Sequence, residues 1–284
     1  MTALPLATIP ETEVHLLHST AVGEAYRISV ALPPTYHDQP DRLYPVIYLL
    51  DADFYFGMVT EMVRMMNTRV PFCDELPDAL IVGIGYPVNG SQKYISDQVM
   101  RLRTRDLLPI HDPSSEQAIA EFFPGLSQVE SGGGGRFLQC IEDELIPMID
   151  GKYRTDQGDR TLIGHSWGGT FALYALFAGK ARFRRFVVVS PDLPMGDGFV
   201  EQCERDYAVL HPSLPVNLYL AFADYELNEW HLPHIRPFVQ TLEARNYSGF
   251  RFVYQTFGQC RHCGVPAPAF QAGLWNVFET PALI

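Results

Sequence analysis

The chain has 284 residues, of which 47% are hydrophobic and 19% charged, a balance that fills a large buried core and excludes a disordered or collagen-like chain. Its 21 lysines and arginines are outnumbered by 33 acids, giving a formal charge of −12, and no basic run exists to track a phosphate backbone, so nucleic acid is not an expected partner. Five cysteines at 73, 140, 203, 260 and 263 make no disulfide framework, no stretch approaches about eighteen apolar residues, and the first residues lack a signal peptide's charged start; the expected setting is cytoplasmic, without a membrane span.

In chain order, β-branched and aromatic runs predict strands at Tyr26 to Leu32, Val46 to Leu50, Leu80 to Ile84, Thr161 to Ile163, Phe186 to Val189, Val216 to Phe222 and Phe250 to Phe257. Several are apolar on both faces, as strands buried in a parallel sheet must be. Helical spacing falls between them at Tyr55 to Thr68, Arg136 to Ile149, Thr170 to Lys180 and Leu232 to Ala244. This alternation predicts an α/β fold: a mainly parallel central sheet with helices on both faces, an antiparallel N-terminal portion, and one domain over residues 1–284. The segment near residues 87–135 contains no convincing strand and reads as a long insertion, a lid candidate.

Gly164-His165-Ser166-Trp167-Gly168 matches G-x-S-x-G, with the strand-like RTLI before it and the helix-like GTFALYALFAG after it. That setting holds a serine on a tight strand-to-helix turn at the carboxyl edge of the sheet. A serine hydroxyl is a weak nucleophile at neutral pH, so it needs a base in reach and an acid to orient the base. Chain order disfavours His15, His18, His37 and His111; His165 is expected to point away from the serine into packing or a backbone contact, and His231 and His234 toward solvent or a substrate cleft. His262, after the last predicted strand, is the expected base. Asp224 and Glu226 both follow VNLYLAF, and Glu226 is the favoured acid, with Asp224 as a turn residue holding local backbone amides.

Acyl transfer also needs two donors aimed at the developing oxyanion. The amide of Trp167 and the amide of Asp53, in the turn after YPVIYLLD, are the expected pair. In RLRTRD, Arg101, Arg103 and Arg105 are candidates for binding an anionic substrate, Arg103 and Arg105 foremost, although Arg105 and Asp106 could equally tether the insertion by an ion pair. Cys260 and Cys263 bracket His262 as C-x-x-C, but no second such pair exists and zinc would consume the imidazole needed as base. Neither metal nor organic cofactor is expected.

With these residues in place, the chain resembles the esterase family of α/β-hydrolases that includes siderophore esterases such as ferric enterobactin esterase and, more remotely, S-formylglutathione hydrolase and the mycolyltransferases. The resemblance rests on YRISVALPPTY, YPVIYLLDADFYF, RTRDLLP, SGGGGRFLQCIEDELIPMIDGKYRTD, GHSWGGTFALYAL, FVVVSPDL and the RHCGVPAPAFQAGL tail. It implies Ser166 as nucleophile, His262 as base, and Glu226 as the acid of a Gly-x-x-acid turn in which Ala223 replaces the glycine. Pro194 and Met195 stand where aromatic residues usually follow the strand, implying a reshaped substrate wall. The implied activity is a serine carboxylic ester hydrolase working on a small-molecule ester through an acyl-enzyme. The alternatives are an acyltransferase using the same triad and a non-catalytic binding protein on the same fold.

Overall fold

The computed structural model describes residues 8–68, 70, 76–87, 97–126, 128–228 and 231–279. Cys73 and the first part of the expected insertion, 88–96, lie outside the described residues.

Among the described residues, eight strands form one sheet: β1 (Thr12–His18), β2 (Ala25–Ala31), β3 (Tyr44–Leu49), β4 (Leu80–Gly85), β5 (Thr155–His165), β6 (Arg185–Val189), β7 (Asn217–Ala223) and β8 (Arg251–Phe257). Their spatial order is β1-β2-β4-β3-β5-β6-β7-β8. β1 and β2 run antiparallel to their neighbours, whereas β3 to β8 are mutually parallel. This is the α/β-hydrolase architecture, and it matches the expected antiparallel start. All six residues of β4 are buried, as befits an apolar strand covered on both faces. β1, absent from the predicted strands, is an edge strand whose Val14 and Leu16 face solvent.

The helices are α1 (Ala52–Met66), α2 (Asp97–Leu107), α3 (Pro113–Phe122), α4 (Gly134–Cys140), α5 (Ile146–Lys152), α6 (Trp167–Ala178), α7 (Met195–Leu210), α8 (Leu232–Ala244) and α9 (Pro266–Phe278), with a π-helical turn, Ile141–Leu145, joining α4 to α5. The core is split by the sheet into two layers. One contains Leu102 of α2, Phe137 of α4, Phe171 of α6 and Phe238 of α8; the other contains Val59 and Val63 of α1 and Phe270 and Leu274 of α9. Gly273 lets α9 close onto the sheet, because a Cβ there would stand 2.5 Å from Val187 Cγ1. Among the described residues, no helix is long and apolar enough to cross a membrane. The expected insertion carries α2 and α3, so RLRTRD is helix rather than loop.

The six parallel strands share one carboxyl edge, and there the backbone is strained. Asp51, Ser166 and Ser190, which follow the adjacent strands β3, β5 and β6, take positive φ angles of 53°, 58° and 45°. Non-glycine residues occupy this region at a cost that persists only where surrounding contacts dictate it, which directs attention to this edge.

Candidate active site

Ser166 sits between the last residue of β5 and the first of α6, with φ 58° and ψ −129°. Its N–H donates to Val189 O on β6 at 2.9 Å, and its carbonyl accepts from Thr170 N at 3.0 Å, so both sides of the turn are pinned. Gly164 is required by the approach of the chain to itself: a Cβ there would lie 2.1 Å from Gly168 O. The turn therefore lifts the serine side chain into a cavity of about 850 Å³ that His262, Glu226, Trp167 and His165 also line.

Glu226 ends a 3₁₀ turn, Asp224–Glu226, directly after β7. Its Oε1 pairs with His262 Nδ1, while its Oε2 accepts from Ser190 Oγ at 2.5 Å and from Ala223 N at 2.9 Å. Burial alone would raise the carboxyl's pKa, but hydrogen bonds from His262 and Ser190 outweigh it and hold the group below its ordinary value, so it is ionised at neutral pH. Ala223 has φ −71° and ψ 144°, an extended conformation open to any L-residue, so the missing glycine leaves the turn intact.

Asp224 faces a different way. Its Oδ2 accepts from Gln259 N at 2.9 Å and its Oδ1 from Cys260 N at 3.3 Å, across from the loop that carries His262. The amides it holds are not local, as the sequence suggested, but belong to a segment 35 and 36 residues downstream. Gln259 is left-handed, with φ 59°, and the carboxylate helps to fix that turn. Of the two candidate acids, one meets the imidazole and the other meets the backbone of Gln259 and Cys260 in the loop that leads to it.

His165 is buried, its Nδ1 within 2.9 Å of Tyr55 Oη, as packing predicts, but its ring also lies 4.5 Å from that of His262, centroid to centroid. It is thus part of the cavity wall rather than remote from it. Burial, then the neighbouring His262 and Arg103, push its pKa well below the ordinary 6.5, keeping the ring neutral. The sign of the linkage follows: as pH falls below 6.5 the unfolded chain takes up a proton that the folded chain refuses, so folding stability declines toward the folded-state pKa. His165→Asn is expected to flatten the dependence of Tm on pH between about pH 7 and 5. Parallel slopes in thermal melts of the two proteins would sink this account.

The two expected oxyanion donors fall in different surroundings. Trp167 opens α6, where first-turn amides have no partner within the helix, and it lines the cavity, its indole Nε1 donating to Asp192 Oδ2 at 3.2 Å. Asp53 lies in the first turn of α1, but the cavity wall there is built by Phe54 and Tyr55. The Asp53 carboxylate is turned to Arg27 Nη2 at 2.6 Å and Tyr86 N at 3.0 Å.

The arginine assignments require correction. Arg103 lines the cavity, but its Nε and Nη2 donate to Asp51 Oδ1 at 2.7 Å and Oδ2 at 3.1 Å, Nη2 also reaches His165 O at 3.4 Å, and the guanidinium lies over the Trp167 ring. It braces the strained ends of β3 and β5 under the serine turn, and its charge is matched by Asp51. Arg105 does not line the cavity; it forks onto Asp106 and reaches Glu24, tying α2 to the residue just before β2. That is the tether the sequence offered as the other reading. The residues not singled out from sequence were Ser190, Asp51 and Tyr55. Ser190 was visible only as the serine after FVVV, and its use depends on β6 and β7 being neighbours.

His231 lines the cavity just before α8, and His234 on α8 lies 3.9 Å from Glu201. Cys260 and Cys263 carry free thiols, and Cys263 reaches the cavity.

Comparison with known proteins places the chain among esterases. The esterase family model, described as "Putative esterase", matches residues 19–214, a span that includes Ser166 and stops before Glu226 and His262. Ferri-bacillibactin esterase BesA of Bacillus subtilis is 33% identical over 221 residues, covering 77% of this chain and 72% of that protein. Among solved structures, the BES protein from Bacillus cereus superposes with a TM-score of 0.82 at 24% identity, covering 98% of this chain and 100% of the other. An IroE-like serine hydrolase from Shewanella oneidensis gives 0.75 at 25% identity, covering 94% and 80%.

Proposed function

The chain belongs to the esterase family of α/β-hydrolases, and from that premise we propose that it hydrolyses a small-molecule carboxylic ester through an acyl-serine on Ser166. The observation that carries the reading is the convergence, in one cavity, of a serine on a strained turn and an imidazole oriented by an ionised, fully hydrogen-bonded carboxylate. In this mechanism Ser166 Oγ attacks the ester carbonyl carbon and passes its proton to His262 Nε2. Glu226, at Nδ1, fixes the tautomer and balances the imidazolium. The Trp167 amide, with a second amide that we assign to Asp53 at the start of α1, receives the oxyanion. Collapse of the intermediate breaks the C–O bond, and the departing alkoxide takes the proton from His262. Water, activated by the same imidazole, then attacks the acyl-serine, releasing the acid and restoring the hydroxyl.

A siderophore ester is the proposed natural substrate, since a relative at 33% identity is named for hydrolysing one, and the cavity is wide enough for a multi-ring molecule. The continuous sheet from β1 to β8 supports treating residues 1–284 as a single domain. A reducing, cytoplasmic setting remains part of this proposal, on the scatter of the five cysteines along the sequence.

The test is a time course of p-nitrophenol release from p-nitrophenyl butyrate at stoichiometric protein. Sustained release is expected, with water completing each cycle. A burst that stalls at one equivalent would instead mark an acyltransferase waiting for its acceptor, and silence with every chain length tried would remove the esterase assignment.

A further inference from the structure

Among the described residues, the wall of the cavity holds two arginines, and they are differently employed. Arg103 is buried, with Asp51 as a bidentate counter-ion, so its charge is spent within the fold. Arg261, immediately before His262, is exposed and forms no ion pair with a carboxylate among the described residues. Its guanidinium carbon lies 4.7 Å from the centroid of the Tyr225 ring, and Tyr225 lines the same cavity. Its backbone is fixed as well: the Arg261 carbonyl accepts from Gly264 N at 2.9 Å and Val265 N at 3.1 Å.

A guanidinium with no carboxylate partner among the described residues is unusual on a chain whose formal charge is −12. The aromatic face beneath it limits where the guanidinium can go without consuming any of its five N–H donors. It is therefore oriented, charged and unspent, one residue from the imidazole that works on the ester. The other polar groups on that side do not compete for the same ligand. Asp192 accepts from Trp167, Glu226 already pairs with His262 and accepts from Ser190 and Ala223, and the His231 ring is held by Asn228 Oδ1 at 3.2 Å.

We infer that Arg261 is a specificity-determining residue that receives an anionic oxygen of the substrate, a carboxylate, sulfonate or phenolate, beside the scissile ester. The inference rests on the esterase reading for its kinetic test and stands apart from it in a binding test. Arg103 and Arg105, the cations expected from sequence for this duty, are already paired with Asp51 and with Asp106 and Glu24.

The kinetic test compares p-nitrophenyl hydrogen glutarate, which is anionic, with p-nitrophenyl pentanoate, which is neutral and of similar length. Arg261→Gln is expected to lower the anionic-to-neutral ratio of kcat/KM by roughly tenfold, the lower range for a lost charge-assisted hydrogen bond, and Arg261→Lys to recover part of it. Equal effects on both esters, or none, would overturn the assignment, since a loop that had merely loosened around His262 would slow both. Should the wild-type protein cleave neither ester, the esterase reading fails but Arg261 remains testable. Fluorescence titration then compares anilinonaphthalene sulfonate with the neutral N-phenylnaphthylamine, and Arg261→Gln must weaken the first about tenfold relative to the second. An unchanged ratio of affinities overturns the inference.

Discussion

Ser166→Ala is expected to lower kcat/KM for p-nitrophenyl butyrate by about 10⁶-fold, the scale on which removal of a triad serine acts in serine hydrolases. The expected change in Tm is only a few degrees, and the two readouts together make the result informative. The strained φ of 58° belongs to the backbone at this position rather than to the hydroxyl. Alanine and serine face the same penalty there, and the N–H to Val189 O that pins the turn is independent of the side chain. What the substitution removes is Oγ alone. A variant that melts like the parent and retains a tenth of its activity would mean that a water attacks the ester directly, with the His262 and Glu226 pair as general base. That outcome would leave the cavity intact and retire the acyl-enzyme.

How far this site could be read in the amino-acid sequence depended on whether the interaction was local. The serine turn is written in five consecutive residues, because the glycines that permit Gly164 to pack against Gly168 O are neighbours in the chain. Most of the buried strands were legible for a related reason: continuous apolar runs such as LIVGI have no other stable home than the interior of a sheet. β1 was missed because TEVHLLH forms an outer edge, where one side is solvent and the period of two is blurred by charge. α9 was missed because PAPAFQAGLWNVF begins with two prolines and carries Gly273 at a contact where no side chain fits.

The arginines of α2 show the opposite limit. Nothing in RLRTRD distinguishes a guanidinium waiting for an anion from one already paired, since the partner of Arg103, Asp51, lies 52 residues away on the end of another strand. The same holds for Ser190, which meets Glu226 over 36 residues. Long-range pairing decided these roles, and it follows from the order of strands in the sheet rather than from any local pattern.

The division of labour between the two acids after β7 gives the other large effect. Glu226→Gln is expected to reduce kcat by about 10⁴-fold, as loss of the orienting acid does in a serine triad, with little change in fold. The reason can be followed atom by atom. Oε2 receives two donors, Ser190 Oγ and Ala223 N, so the glutamine carbonyl must take that position. Its NH₂ is then left facing His262 Nδ1, which has to accept. The imidazole proton moves to Nε2, the one atom that must be free to take the proton of Ser166. Asp224→Asn removes no contact with the ring. Its carboxylate accepts from Gln259 N and Cys260 N, and an asparagine can serve only one of them through oxygen while turning an N–H donor toward the other. The loss of one charge-assisted bond loosens the loop and is expected to lower kcat by about ten- to a hundredfold. Equal and mild losses in both variants would mean that Ser166 and His262 work as a pair, with Glu226 holding the turn and Ser190 but contributing nothing to the proton transfer.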